Sequence, residues 1–108
     1  MTKKRIAIFG STGSIGTQAL DVIRANSNLF EVEILTAHHN DELLIAQAKE
    51  FKPNAVVIVD EKKYPKVKDA LALTDVKVFA GEQSLEDVAQ FDTYDMMLAA
   101  IVGFAGLK

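Results

Sequence analysis

Five short apolar runs alternate with four helix-patterned segments along 108 residues, and this alternation constrains the fold more than any other feature. Ile6–Phe9 is apolar and stops at Gly10, which reads as a buried strand. From Ser14 to Ala25 the apolar positions Ile15, Ala19, Val22 and Ile23 repeat at helical spacing, and Asn26-Ser27-Asn28 ends the pattern. Phe30–Thr36 alternates and then turns apolar, as a second strand would. Asn40 or Asp41 is placed to cap a helix with Leu44, Ala48 and Phe51 on one face, and Pro53 lies just past its end. Ala55–Val59 is apolar throughout, which predicts a strand covered on both faces. A charged, helix-prone segment spans about Lys62–Leu73, and Val76–Ala80 predicts a fourth strand. Ser84 is placed to cap a short helix, with Asp87 three residues on, and Tyr94–Ala100 predicts a fifth strand. The order βαβαβαβαβ calls for a doubly wound α/β domain: a parallel sheet with helices on both faces.

Composition narrows the function classes. The length fits one domain, residues 1–108. Such a chain buries roughly 65% of its unfolded surface, enough for a core without staples. Fifteen acidic against twelve basic residues give a net charge of −3, so no basic field favours nucleic acid or an anionic membrane. Cysteine is absent, which removes disulfides, thiolate metal sites and cysteine nucleophiles together. No apolar run approaches the ~20 residues of a membrane span, and the first apolar run is too short for a signal peptide. The cytoplasm is the expected compartment.

The chemistry-bearing motif is Gly10-Ser11-Thr12-Gly13-Ser14-Ile15-Gly16, between the first strand and the first helix. Glycine permits a tight turn and lets the main chain approach a diphosphate with no Cβ in the way. The helix N-terminus directs unpaired N–H groups and partial positive charge at an anion. Ser11, Thr12 and Ser14 add hydroxyl donors. The position of the motif, more than its G-x-x-G-x-x-G spacing, makes this a Rossmann-like NAD(P)-binding turn rather than an ordinary glycine-rich loop.

A ribose-reading residue belongs at the end of the second strand, where the sequence has Ala37-His38-His39-Asn40. No acid stands there for a 2′-hydroxyl; Asp41 and Glu42 come later, inside the helix. A neutral or basic strand end suits a 2′-phosphate and hence NADP. The two histidines could instead be surface residues without a role. Metal binding ranks below phosphate contact, because adjacent residues in extended chain point opposite ways and no third ligand is near in sequence. Ala99-Ala100, with Gly103 and Gly106 beyond, leaves space for a ring to lie close, although tight packing of a strand on a helix would use the same residues. Tyr64-Pro65-Lys66-Val67-Lys68 matches Y-x-x-x-K, but it precedes the fourth strand and contains proline, so it reads as a helix start and a solvated lysine. Asp60-Glu61-Lys62-Lys63 reads as a charged turn. No spaced acidic cluster suggests a hard-metal site. The apolar end, Ile101–Leu107, needs something to pack on, and predicts that the chain is the front part of a longer protein.

Gly10–Gly16 followed by Leu20-Asp21-Val22-Ile23, together with Ala99-Ala-Ile-Val-Gly103 and Ala105-Gly-Leu107, resembles the 1-deoxy-D-xylulose 5-phosphate reductoisomerase family. The resemblance covers essentially the whole chain. It implies an NADPH-dependent enzyme that needs Mg²⁺ or Mn²⁺ and is usually a homodimer. Such an enzyme converts 1-deoxy-D-xylulose 5-phosphate to 2-C-methyl-D-erythritol 4-phosphate in non-mevalonate isoprenoid biosynthesis and is the target of fosmidomycin. By resemblance, Thr12, Gly13, Ser14 and Ile15 contact the cofactor diphosphate, and His38, His39 and Asn40 surround the adenosine ribose and its phosphate. Ala100 and Ile101 lie toward the nicotinamide. His38 and His39 depart from the family's frequent glycine and basic residue. The family's metal ligands, lid and substrate-phosphate site all fall beyond Lys108, so the resemblance implies no catalytic or metal-binding residue here and no turnover by residues 1–108 alone. The alternatives are an extended short-chain epimerase or dehydrogenase, which shares a glycine-rich turn, and a dinucleotide-sensing module.

Overall fold

The computed structural model describes residues 3–99. Five strands, β1 (Lys4–Phe9), β2 (Phe30–Ala37), β3 (Ala55–Ile58), β4 (Lys77–Ala80) and β5 (Met96–Ala99), form one sheet in the order β4-β3-β2-β1-β5. Every neighbouring pair is parallel. The helices are α1 (Ser14–Ala25), α2 (Asp41–Phe51), α3 (Tyr64–Ala70) and α4 (Glu82–Ala89). The doubly wound α/β expectation holds.

Two apolar clusters mark the two faces of the sheet. One joins Ile6, Ile8, Val32, Leu35, Val56 and Ile58 to Leu20 and Ile23 of α1, Leu44 and Ala48 of α2, and Val67 of α3. The other joins Ala7, Phe9, Ile34 and Val57 to Val88 of α4, with Leu85 and Phe79 at its margin. The distribution follows from right-handed crossovers. Steps from β1 through β4 advance in one direction and put three helices on one face; the return to the far side of β1 puts α4 on the other. β3 is buried at all four positions, as its unbroken apolar run requires.

β2 contains an irregularity that its sequence records. The β1–β2 register passes from Ile6↔Val32 to Ala7↔Ile34, so Glu33 is an extra residue in the ladder. Val32 and Leu35, three residues apart, consequently face the same cluster, while Ile34 faces the other. This is why the alternation of Phe-Glu-Val-Glu gives way to the continuous apolar Ile-Leu.

Three local expectations are corrected. Ser84 does not cap α4; Gly81 holds that position, and the Ser84 hydroxyl donates back to the Ala80 carbonyl at 2.7 Å from inside the helix. The segment expected over 62–73 is shorter: Asp60 caps a single 3₁₀ turn over Glu61–Lys63, and α3 follows with Pro65 in its first turn. β5 starts at Met96 rather than Tyr94. The Tyr94 hydroxyl donates to the Ala89 carbonyl at 2.6 Å, while Asp95 exchanges hydrogen bonds with the Arg5 main chain at 2.7 and 2.8 Å.

The order of strands reverses between β1 and β5, where chain connections leave in opposite directions. In open α/β sheets the crevice outside the carboxyl ends of such strands is where ligands bind. Phe9, the last residue of β1, pairs with Ala99, the last of β5, so the glycine-rich turn stands at that crevice.

Candidate dinucleotide site

Gly10 leaves β1 with φ +86°, in the left-handed region that side chains disfavour. Its N–H and that of Ser11 both donate to the Thr36 carbonyl, at 3.1 and 2.8 Å, and Gly10 N–H also reaches the Thr36 hydroxyl oxygen at 2.9 Å. The turn is thus tied to the end of β2. Gly13 N–H donates to the Gly10 carbonyl at 3.2 Å, and Gly13 is the N-cap of α1 with an extended backbone.

The first turn of α1 is built to receive an anion. No side chain caps it, and it contains no acidic residue. Its leading N–H groups lack intrahelical partners by helix geometry, and the helix dipole adds positive potential there. Gly13, Ser14 and Ile15 are exposed and Thr12 is half-buried. Ile15 is 60% exposed and leaves its main chain open to solvent at the helix start. Gly16 has a different task. A Cβ there would overlap the Gly10 carbonyl oxygen and stand 2.7 Å from Ser11 Cα, so only glycine lets α1 approach the turn. At Gly13 a Cβ would meet only the Gly10 carbonyl, at 3.6 Å, leaving free space on the side away from the protein.

Ser11 is not a free hydroxyl donor as its place in the motif suggests. It is fully buried, and its hydroxyl donates to Gln47 Oε1 at 2.7 Å. Gln47, on α2 and 6% exposed, returns a bond from Nε2 to the Ser11 carbonyl at 2.9 Å. Neither Gln47 nor Thr36 stands out from sequence spacing; the usable signal is a polar residue three positions from Leu44 on the stripe that also carries Ala48.

His38, His39 and Asn40 connect β2 to α2, two to four residues beyond the Thr36 carbonyl that holds the glycine turn. All three are exposed. The expectation that the histidines point apart is corrected. The strand has ended at Ala37, the residues lie in a bend, and the two Nδ1 atoms stand 3.3 Å apart with rings at 85°. His38 also lines a shallow open depression with Asp60, Lys62 and Gln83. Asn40 spends its side-chain oxygen on capping α2, accepting from Leu43 N–H at 3.3 Å. Asp41 opens the helix and is nearly buried. Burial alone would push its carboxyl up, but the Glu42 N–H and the ammonium groups of Lys66 and Lys63 hold it below the ordinary carboxylate range. It turns inward toward Lys66 and is not a ribose-reading acid.

Ala100 and Ile101 lie outside the described residues. Among the described residues no group of three or more His, Asp or Glu side chains could hold a metal ion. Tyr64 packs half-buried against the core while Lys68 is exposed, so the Y-x-x-x-K match has no site around it. No helix among the described residues is long and apolar enough to cross a membrane.

The family model for 1-deoxy-D-xylulose 5-phosphate reductoisomerase matches residues 6–108. The chain belongs to the 1-deoxy-D-xylulose 5-phosphate reductoisomerase family. A reductoisomerase of Bacteroides fragilis is 54% identical over 106 residues, covering 98% of this chain and 27% of its own length. That of Crocosphaera subtropica is 42% identical over 106 residues, covering 96% of the chain and 27% of its own length. The chain therefore spans about a quarter of the length of the curated relatives it matches. Among solved structures, the reductoisomerase from Zymomonas mobilis in complex with NADPH superposes with a TM-score of 0.90 at 37% identity, covering 99% of this chain and 28% of that one. A reductoisomerase in complex with NADPH, fosmidomycin and magnesium gives 0.89 at 33% identity, covering 96% of this chain and 26% of that one. Membership of this family separates the chain from the short-chain epimerases and dehydrogenases.

Proposed function

We propose that residues 1–108 form the NADPH-binding domain of a 1-deoxy-D-xylulose 5-phosphate reductoisomerase. The observation that carries this reading is the first turn of α1. It is uncapped, free of acidic residues, and presented by a left-handed glycine at the switch point of the sheet. The fit to NADPH is physical. Ser14 and Ile15 offer main-chain N–H groups to a diphosphate, Gly13 keeps a Cβ out of its way while its own N–H closes the turn on the Gly10 carbonyl, and Thr12 and Ser14 add hydroxyls. Gly10 and Gly16 give the turn its shape. The residues that follow β2 bring two imidazoles and Asn40 before the first carboxylate of α2, which favours a 2′-phosphate, while Asp60, Glu61 and Glu82 share the depression that His38 lines. Ala100 and Ile101 belong to the nicotinamide end in this reading.

When bound, NADPH supplies a hydride; the part of this chain is to bind and orient the cofactor. The activity to which this contributes is the conversion of 1-deoxy-D-xylulose 5-phosphate to 2-C-methyl-D-erythritol 4-phosphate in non-mevalonate isoprenoid biosynthesis. That reaction needs Mg²⁺ or Mn²⁺, whose ligands the reading places outside residues 1–108. A cytoplasmic homodimer is the state proposed for the intact enzyme. Support for the NADPH-binding role comes from the NADPH-bound relative that superposes over 99% of the chain.

The reading is tested by titrating isotope-labelled protein with NADPH and following main-chain amide resonances. Shifts should concentrate at Gly10–Gly16 and His38–Asn40. Shifts confined to the opposite end of the sheet, around Phe30 and Lys52, would contradict it.

A further inference from the structure

The glycine turn is positioned by a residue that stands far from it in sequence and lies behind it in space. Ser11 offers two polar groups to the interior, its hydroxyl and its carbonyl, and one carboxamide satisfies both. The hydroxyl donates to Gln47 Oε1 at 2.7 Å and Gln47 Nε2 donates to the carbonyl at 2.9 Å. Reversing the amide would set Oε1 against the Ser11 carbonyl, two acceptors face to face, so the orientation is fixed by its partners. Both residues are buried; the Ser11 hydroxyl also lies 3.3 Å from the Thr36 carbonyl, so it is the Ser11 carbonyl that loses its side-chain donor when Gln47 is replaced, and a buried acceptor without a partner is costly.

The other side of the turn is held by Thr36, which accepts from Gly10 and Ser11 N–H. Residues 10 and 11 are thereby fixed to two elements at once, β2 through Thr36 and α2 through Gln47. The second attachment links the ends of the proposed site. α2 begins after Asn40, directly behind His38 and His39, and Gln47 lies two helical turns further along the same rod. Thr36 ties the anion-binding turn to the end of β2, and the Gln47 amide adds the tie to α2 that begins just beyond the histidines.

We propose that Gln47 is a positioning residue for the dinucleotide: by clamping Ser11 to α2 it fixes the direction of the first-turn N–H groups of α1 and their spacing from His38 and His39, and so sets NADPH affinity without touching the cofactor. This rests on the NADPH reading above. Its physical content is pre-organisation. A turn already held in its binding geometry loses less freedom when the diphosphate arrives.

Calorimetric titration of the full chain with NADPH tests it, using the parent, Gln47→Leu and Gln47→Glu. Gln47→Leu removes both bonds in similar volume and should weaken NADPH binding about fivefold to tenfold. Gln47→Glu keeps an acceptor for the Ser11 hydroxyl but sets a second oxygen against the Ser11 carbonyl. As a carboxylate it cannot donate; protonated, it can. Burial raises the pH at which it takes up that proton. The ratio of Gln47→Glu to parent dissociation constants should therefore be large at pH 8 and fall several-fold by pH 5.5. A role limited to general stability would leave that ratio flat, and a flat ratio overturns the proposal. Parent affinity in Gln47→Leu overturns it as well. A parent that does not bind NADPH removes the underlying reading, and this inference with it; a parent that binds, with variants that bind equally well, removes this inference alone.

Discussion

Gly16 packs against the Gly10 carbonyl oxygen so closely that no side-chain carbon fits between them. The contact brings the first turn of α1 down onto the residues that leave β1; β1 is buried on both faces, and α1 packs on one of them through Leu20 and Ile23. Gly16→Ala must push the helix away from the turn. The expected cost is about 1–3 kcal/mol of stability. Chemical unfolding of the parent and Gly16→Ala checks this, and equal midpoints would show that the turn yields without cost.

The paired imidazoles give the site a cofactor preference that can be read. His38 and His39 Nδ1 atoms lie 3.3 Å apart just beyond β2, where the proposed reading places the 2′-phosphate. His39→Gln should lower the NADPH-to-NADH affinity ratio about tenfold, because hydrogen bonds to a charged group are worth roughly 1.5–3 kcal/mol. Calorimetric titration with each cofactor checks this, and an unchanged ratio would make His39 a bystander.

Acid should loosen both flanks of the fold together. The Asp95 carboxyl is held below its ordinary value of 3.8 by the Arg5 main-chain N–H, joining β5 to β1. The Glu50 carboxyl is held below 4.5 by the Arg24 guanidinium, which links α2 to α1. A carboxyl whose folded value is lowered stabilises the protein above its unfolded value and loses that contribution as the pH falls through the folded one. Unfolding midpoints should therefore hold from pH 7 to about 5 and drop below about 4.5. Asp95→Asn should lower the midpoint at pH 7 and shrink the acid-dependent drop. The same drop in parent and variant would mean that Asp95 contributes nothing.

Much of this was legible in residue pattern because the signals were local. The run Ala55–Ile58 is a strand buried on both faces, and Gly10 and Gly16 each answer a steric demand that only glycine meets. What stayed hidden depended on pairs distant in sequence. Gln47 meets Ser11 only because α2 lies beside the β1–α1 turn, and no spacing encodes that contact. The period-two rule misled at His38 and His39 because it holds inside a strand and the strand ends at Ala37. Ser84 misled because a serine one turn into a helix can bond back to the preceding carbonyl as readily as it can cap.

Residues 1–108 supplied with 1-deoxy-D-xylulose 5-phosphate, NADPH and Mn²⁺ should oxidise no NADPH in response to that substrate. The described residues contain no group of acidic or histidine side chains able to hold a metal ion, and the glycine site addresses only the cofactor. A spectrophotometric assay decides it; steady substrate-dependent oxidation would place the whole catalytic apparatus within this chain.

The central claim is that the diphosphate of NADPH meets the main chain at Gly13. A Cβ at this position would touch only the Gly10 carbonyl, at an ordinary 3.6 Å, and the backbone there is extended, so a side chain is compatible with the fold. Valine would instead fill the free space in front of the α1 first turn. Calorimetric titration of the parent and Gly13→Val with NADPH, with thermal unfolding recorded on the same samples, measures the two effects separately. The account predicts an unfolding midpoint close to that of the parent and NADPH affinity reduced about a hundredfold or more, the loss of several main-chain hydrogen bonds to a charged group. Equal NADPH affinity in the two proteins would contradict it.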